Sequence, residues 1–288
     1  MSHGIAPGRA PDAGLATWSA EPLIALPVLA AAVVYTLGWR QARRQMPARF
    51  DGRHLAAFLA GLGALLAALA SPLDALAAER LSAHMAQHLL LMLVAPPLLW
   101  LGAPVAPLLL GLPHPLRRAV ATALGTAPLR ELGRVLAHPA VAWVAFTVAF
   151  WVWHIPALYD LALREEGWHD AEHAAFLGAA LLFWRPVILP WPARQVWPRW
   201  AMIPYLVLAE FQNMVLAAIF TFSDRVIYTA YETSARPGAM SALEDQALAG
   251  VLMWVPGSLA FAWPVIWLVI EGLRPAPSVD ASVVGTRR

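Results

Sequence analysis

The stretch SAHMAQHLLLMLVAPPLLWL, residues 82–101, runs for twenty residues without a charged side chain. At about 1.5 Å per residue, a helix of this length crosses a hydrocarbon core of roughly 30 Å. The whole chain has the same character, because 60% of its 288 residues are hydrophobic, only 13% are charged and the mean hydropathy is +0.59. Soluble domains carry about a quarter charged residues. The sequence therefore predicts a polytopic membrane protein.

Apolar runs of similar length lie on both sides of this stretch and predict an all-α bundle of about seven transmembrane helices. The predicted spans cover residues 22–39, 54–73, 82–101, 139–158, 169–189, 201–222 and 243–270. Pro96-Pro97 and Pro256-Gly257 are expected to kink the third and seventh spans. The proline-rich stretch APVAPLLLGLP, residues 103–113, is predicted to be interfacial or re-entrant, and the region from there to Arg134 to form a surface helix.

The distribution of basic residues predicts the orientation of the bundle. All 20 basic residues are arginine, and fifteen of them fall in one set of alternate connections. The other five are Arg9, Arg80, Arg164, Arg225 and Arg236, and most of the acidic residues share their side. Because Lys and Arg accumulate on the cytoplasmic side, we expect the N-terminus outside and the C-terminus in the cytoplasm. This divides the chain into a periplasmic tail at 1–21, a membrane domain at 22–271 and a cytoplasmic tail at 272–288.

Five of the nine histidines fall at the same predicted end of the bundle. His84 and His88 open the third span, His154 closes the fourth, and His169 and His173 open the fifth. Alternate spans that begin on one side, and the span that ends there, present these residues at one membrane face. Each His-x-x-x-His pair is spaced i, i+4, so both imidazoles project from one side of their helix. Polar residues at the entrance of a span are costly and mark a site.

Methionines extend this pattern into the bundle. Met92 lies one turn beyond His88, and Met253 lies one heptad beyond Gln246, near the start of the seventh span. Imidazoles and thioethers suit a soft, nitrogen-tolerant ion, and copper, above all Cu(I), is the first candidate. Zinc and haem remain open. The candidate metal ligands are His84, His88, His154, His169, His173, Met92 and Met253.

Other residues receive less functional weight. His3, His54, His114 and His138 lie in or beside loops and are predicted to make capping or headgroup contacts. Glu210, in the middle of the sixth span, is either hydrogen-bonded inside the bundle or part of an ion path. The chain has no cysteine, which excludes thiolate metal sites. It also lacks an H-E-x-x-H motif, a phosphate loop and a glycine-rich nucleotide fingerprint, so a zinc protease of that type and a nucleotide-driven pump are disfavoured, and no nucleotide or nucleic-acid partner is expected.

Four separated motifs resemble one family. The runs HMAQHLLLMLVAPPLLWLGAP (84–104), FWVWHIPALYD (150–160), HDAEHAAFLGAALLFWRPV (169–187) and DQALAGVLMWVPG (245–257) are similar to the CtaG-type family of bacterial cytochrome c oxidase assembly factors. The resemblance implies a seven-helix protein of the bacterial inner membrane that is needed to mature haem-copper oxidase by helping to load copper. It also implies that His84, His88, His154, His169 and His173 occupy the family's polar positions.

The sequence thus favours a non-enzymatic membrane assembly factor that binds or delivers copper at its periplasmic face, with the lipid bilayer and an oxidase subunit as its partners. Two alternatives stay open. One is a haem-binding electron carrier with axial ligands such as His88 and His173. The other is a copper transporter in which Met92, Met214, Met253 and Glu210 form a path across the bilayer.

Overall fold

The structure is a computed structural model that describes residues 22–232 and 240–274. The predicted N-terminal tail at 1–21 lies outside the described residues, as does the predicted C-terminal tail from 275 onward. Over the described residues the chain is helical and contains no strand, which confirms the all-α prediction. The helices are α1 (Pro22–Gln45), α2 (Gly52–Leu69), α3 (Pro72–Ala77), α4 (Leu81–Leu89), α5 (Ala95–Leu101), α6 (Val105–Gly111), α7 (His114–Leu124), α8 (Ala127–Leu136), α9 (Pro139–Trp153), α10 (Pro156–Arg164), α11 (Glu166–Ile188), α12 (Met202–Phe222) and α13 (Ala242–Leu273).

The described residues contain five helices that are long and apolar enough to cross a membrane: Pro22–Gln45, Gly52–Leu69, Leu81–Leu101, Arg199–Phe222 and Ala242–Leu273. They become six if α8 and α9, which meet at a bend of 69°, count as one broken span. Helix α11 has 23 residues, but the polar residues in its sequence keep it outside this set. The protein is therefore a multi-helix membrane protein, and seven spans remain a prediction.

The third span is a single rod with a widened turn in its middle. Residues Leu90–Val94 form a π-helix that joins α4 to α5. Pro96 follows at once, and because proline has no backbone N–H, the carbonyl of Met92, four residues earlier, loses its helical partner. The indole of Trp184 on α11 donates to this carbonyl at 2.8 Å. The kink predicted at Pro96-Pro97 thus takes the form of a π-bulge, and α11 satisfies the carbonyl that the proline leaves free.

The region predicted as interfacial and surface structure divides into three helices. Helix α6 packs closely on α1, because Gly38 and Gly111 meet there and a Cβ on either residue would overlap the backbone of the other helix. Helices α7 and α8 bury no residue, in agreement with a surface position. The sequence predicted one surface helix. Gly125 ends α7, and Pro128 fits the first turn of α8, so the structure has two.

Helix α4, which carries the first histidine pair, is anchored at its start by α13. Its N-cap residue, Arg80, makes no side-chain capping hydrogen bond. The carboxylate of Asp245 on α13 replaces the cap: its Oδ2 accepts from the backbone N–H of Leu81 at 2.8 Å, and its Oδ1 accepts from the Ser82 hydroxyl at 2.5 Å. Asp245 is 1% exposed. The α13 contact therefore fixes where α4 begins, and with it the height of the histidines.

Candidate metal centre

Helices α4 and α11 bring their histidine pairs together at one end of the bundle. The ring centroids lie 4.4 Å apart for His84 and His88, and 4.2 Å apart for His169 and His173. Between the helices, the His84 ring is 5.4 Å from His169, and the His88 ring is 5.8 Å from His173. The i, i+4 spacing therefore does what the sequence predicted, since it turns both pairs toward a common centre. We call these four residues with Glu172 the histidine cluster.

Glu172 is the member of the cluster that sequence reasoning missed. It is fully buried, and its two carboxylate oxygens lie 3.6 Å from Nε2 of His84 and 3.6 Å from Nε2 of His88. The sequence held a signal for this, because Glu172 follows His169 by three residues and so shares its helix face. Its position makes it a candidate ligand equal to the histidines.

The cluster offers two overlapping sets of three ligand atoms. In one, an atom each from His84, His169 and His173 lies within 4.8 Å of the others; in the second, the same holds for His84, His88 and Glu172. Of these side chains only His169 is partly exposed, and the others are buried. The first set therefore faces the end of the bundle and the second lies further inside, with His84 common to both.

Hydrogen bonds fix which nitrogen of two histidines carries the proton. Nδ1 of His154 lies 2.6 Å from the carbonyl oxygen of Phe150, which can only accept, so this nitrogen is the protonated one. The hydroxyl of Tyr231 donates to the Ala77 carbonyl at 3.0 Å, and its oxygen then accepts from Nδ1 of His84 at 3.4 Å. In both rings Nε2 is left with a free lone pair, which is the form that binds a metal.

A group of tyrosines packs against the cluster. The Tyr159 ring lies 5.1 Å from that of His84 and stacks on Tyr228 at 3.8 Å. Tyr228 is in the connection after α12, and burial raises the pKa of its hydroxyl well above the ordinary value, so it stays a neutral donor. It donates to the carbonyl of His154 at 2.9 Å. Gln246 holds this connection in place by accepting from the backbone N–H of Ile227 at 2.7 Å.

The two predicted methionine ligands lie apart from the two sets of ligand atoms. Met92 and Met253 line a cavity of about 30 Å³ next to His88 and His154. The His154 ring is 5.9 Å from that of His88, and both residues line this cavity. The structure thus arranges the seven predicted ligands as a cluster and an adjoining cavity, and their role as ligands stays a prediction.

The remaining predictions about single residues divide. His54 takes part in the cap at the start of α2, where its Nδ1 donates to the Asp51 carboxylate at 2.8 Å and lowers the pKa of that carboxyl. His138 packs edge-on against Trp197. His54 thus caps a helix as predicted, whereas His138, the N-cap residue of α9, makes no side-chain capping hydrogen bond. Glu210 is half-buried and hydrogen-bonded to Ser258 and Asn213, whereas Met214 is 37% exposed on the outside of α12.

Comparison with known sequences identifies a matching protein family. The cytochrome c oxidase caa3 assembly factor family (Caa3_CtaG) matches residues 33–274. Curated relatives include the uncharacterized proteins Mb0105 of Mycobacterium bovis and MT0111 of Mycobacterium tuberculosis, each 29% identical over 272 residues, and the uncharacterized protein ML1998 of Mycobacterium leprae, 25% identical over 268 residues. The alignments cover 90%, 90% and 89% of this chain and 40% of each relative.

The chain therefore spans two fifths of the length of these curated relatives. No solved structure matches it. The family match covers all thirteen described helices except the first turns of α1, and it includes every member of the histidine cluster. The chain belongs to the cytochrome c oxidase caa3 assembly factor family.

Proposed function

We propose that this protein is a membrane assembly factor that binds copper at the histidine cluster and passes it to a subunit of cytochrome c oxidase. Copper is here the cargo. We infer a non-catalytic role, with the cluster at the periplasmic face of a bacterial inner membrane. The family assignment supports the oxidase as the partner, and the chemistry of the cluster supports a metal as the cargo.

One observation carries the proposal. Among the described residues, ten buried side-chain polar atoms have no hydrogen-bond partner, and seven of them belong to the cluster and the neighbouring His154. They are His84 Nε2, His88 Nδ1 and Nε2, His154 Nε2, His173 Nε2 and both oxygens of Glu172. A buried polar group without a partner costs about 1–3 kcal/mol, so such a concentration indicates a ligand that these atoms bind. A metal cation satisfies lone pairs of nitrogen and carboxylate oxygen together.

The ligand set favours copper as cargo. The chain has no thiolate to hold the metal tightly, and imidazoles with one carboxylate leave a labile site. A delivery protein needs to bind and then release. Zinc accepts the same ligands, so the metal has to be measured.

The geometry argues against the two alternative functions. A haem between His88 and His173 needs a slot for the macrocycle, but the His88 ring is packed by His84 at 4.4 Å and by Phe176 at 4.5 Å. A transmembrane copper path through Met92, Met214, Met253 and Glu210 needs all four to face one channel. Met214 is on the outside of α12, because it follows Asn213, which points inward, by one residue and about 100° of helix rotation. An ion held by the cluster is the simpler fit.

The proposal is tested by the metal content of the purified protein. After copper reconstitution in detergent and removal of loosely bound ions, we expect at least about one copper ion per protein molecule and no Soret band of haem. The zinc content after growth in balanced medium decides between the two metals. Protein that carries neither metal, or a haem spectrum, contradicts the proposal.

The proposed orientation has its own test, which exploits the absence of cysteine. Glu166 at the histidine end and Arg118 on α7 are both exposed, so single cysteines at these positions leave the core untouched. We expect a membrane-impermeant maleimide added to intact spheroplasts to label E166C and to label R118C only after the membrane is opened. Labelling in the reverse order would put the cluster on the cytoplasmic side and exclude loading from the periplasm.

A further inference from the structure

The cavity beside the histidine cluster has a chemistry of its own. It is lined by Met85, Met92, Met253, His88, His154 and Asn213, and the rest of its wall consists of phenylalanine and leucine side chains. The three methionines are at most 5% exposed. The volume, about 30 Å³, exceeds the roughly 10–15 Å³ that one water needs, so a metal ion fits within it. We call this cavity the methionine chamber.

We propose that the methionine chamber is a second metal site, distinct from the histidine cluster and selective for a soft monovalent cation such as Cu(I). None of the described residues that line it is a carboxylate. Thioethers and neutral imidazoles favour soft ions of low charge, whereas the cluster, with Glu172, favours a divalent ion. A second observation indicates a ligand here: Nδ1 of His88 and Nε2 of His154 are buried without a hydrogen-bond partner, and both residues line the chamber.

Hydrogen bonds from neighbouring helices hold the backbone at Met92 and at Met253. The Met92 carbonyl, freed by Pro96, accepts from Trp184, and the Met253 carbonyl accepts from the Asn213 amide at 3.0 Å. Each bond reaches across from a neighbouring helix, so Met92 and Met253 are fixed relative to the bundle. π-Bulges such as the one that contains Met92 occur frequently at functional sites. Two thioether-bearing residues from different helices therefore line one small cavity.

His88 links the chamber to the cluster. Its Nε2 lies 3.6 Å from Glu172, and its ring also forms part of the chamber wall. The two sites thus share one imidazole, while the cluster favours a divalent ion and the chamber a soft monovalent one. The chamber deepens the proposed function, because it adds a second metal site further inside the bundle. The existence of this site does not depend on delivery to an oxidase.

The test uses two probe ions on the purified full-length protein: Ag(I), which mimics Cu(I), and Co(II), which prefers nitrogen and oxygen. We expect X-ray absorption of the Ag(I) form to show sulfur neighbours. Replacement of Met85, Met92 and Met253 by leucine should remove them and lower Ag(I) affinity at least tenfold, since losing even an outer partner of a ligand costs about 10–100-fold. Co(II) binding by this variant should stay unchanged, whereas E172Q should lose Co(II) and keep the sulfur-bound Ag(I).

Met46, Met202 and Met214 provide the matched control, because none of them lines the chamber and the same three Met→Leu changes conserve volume equally. If the triple chamber variant unfolds, the single variants M92L and M253L are compared, each with an expected loss of at least tenfold. Sulfur-bound Ag(I) in the triple variant, or no sulfur neighbours in the wild type, overturns the chamber site. If the wild type instead binds no Co(II) but binds Ag(I) through sulfur, the proposed function is overturned and the chamber site is not.

Discussion

Replacing Glu172 with glutamine should abolish metal binding at the histidine cluster while leaving the fold intact. The substitution keeps the size of a fully buried side chain and removes its negative charge. In the metal-free protein the change should alter the free energy of unfolding little, because glutamine has the same size and keeps a polar group at this buried position. In the metal-loaded protein the same change removes the one anionic ligand of the cluster, which lies 3.6 Å from Nε2 of His84, the residue that both ligand sets share. E172Q is therefore expected to be less stable than the wild type only when metal is present.

Denaturation with and without metal measures this difference. At a free metal concentration of 100 times Kd, the wild type should gain about 2.7 kcal/mol in free energy of unfolding, and E172Q should gain almost nothing. Oxidase activity in cells that carry only E172Q should fall to the level of a deletion strain. E166Q is the matched control, because Glu166 lies on the same helix at the same end but is exposed, and it should behave as the wild type. A metal-dependent gain in E172Q equal to that of the wild type would remove Glu172 from the site.

The histidines extend the same experiment. Alanine at His84, His88, His169 or His173 should remove metal binding and oxidase maturation together, since each contributes an atom to one of the two ligand sets. Alanine at His114 or His138, which lie outside the cluster, should leave both intact. Equal losses from all six variants would indicate a general effect on folding.

The helices could be predicted wherever an apolar run decided them. The predicted spans 82–101 and 201–222 agree with Leu81–Leu101 and Arg199–Phe222, because continuous apolar length is the signal itself. The predicted fourth span fails at its end. The predicted span runs from 139 to 158, but α9 ends at Trp153, because Pro156 disfavours helix at the residue before it and begins α10. With only 15 residues, α9 is short for a span on its own, which is why the span count stays open.

The candidate site was predictable where helical periodicity applied. Spacing of i, i+4 correctly put both histidines of each pair on one face, and the i, i+3 spacing of Glu172 from His169 puts the glutamate on the face of His169. Partners that lie far apart in the sequence carried no such signal. Asp245 and Gln246 have structural roles next to the site: Asp245 caps α4, and Gln246 holds the connection before α13. These contacts join residues 164 and 19 positions apart, and no local pattern encodes the first of them.

Removing the Asp245 carboxylate should be the most destabilising single change among the residues that support the cluster. D245A leaves the Leu81 N–H and the Ser82 hydroxyl buried without their acceptor, and each such loss costs about 1–3 kcal/mol, so we expect a fall of about 4 kcal/mol in the free energy of unfolding. The start of α4 is then no longer fixed, so His84 and His88 can shift along the bundle relative to α11. Co(II) binding at the cluster should therefore weaken at least tenfold.

Two variants make this prediction specific to the contact between helices. D245N keeps one amide oxygen to accept from Leu81, and the Ser82 hydroxyl can rotate to accept from the amide nitrogen, so it should lose only about 1 kcal/mol. S241A removes the cap of α13 itself, where Ser241 accepts from the Glu244 N–H at 3.2 Å on an exposed surface, and should also cost about 1 kcal/mol. Neither should alter Co(II) affinity. If the free energy of unfolding of D245A instead lies within about 1 kcal/mol of that of the wild type, then α4 is positioned by its packing against α3 and α13 and not by the Asp245 cap.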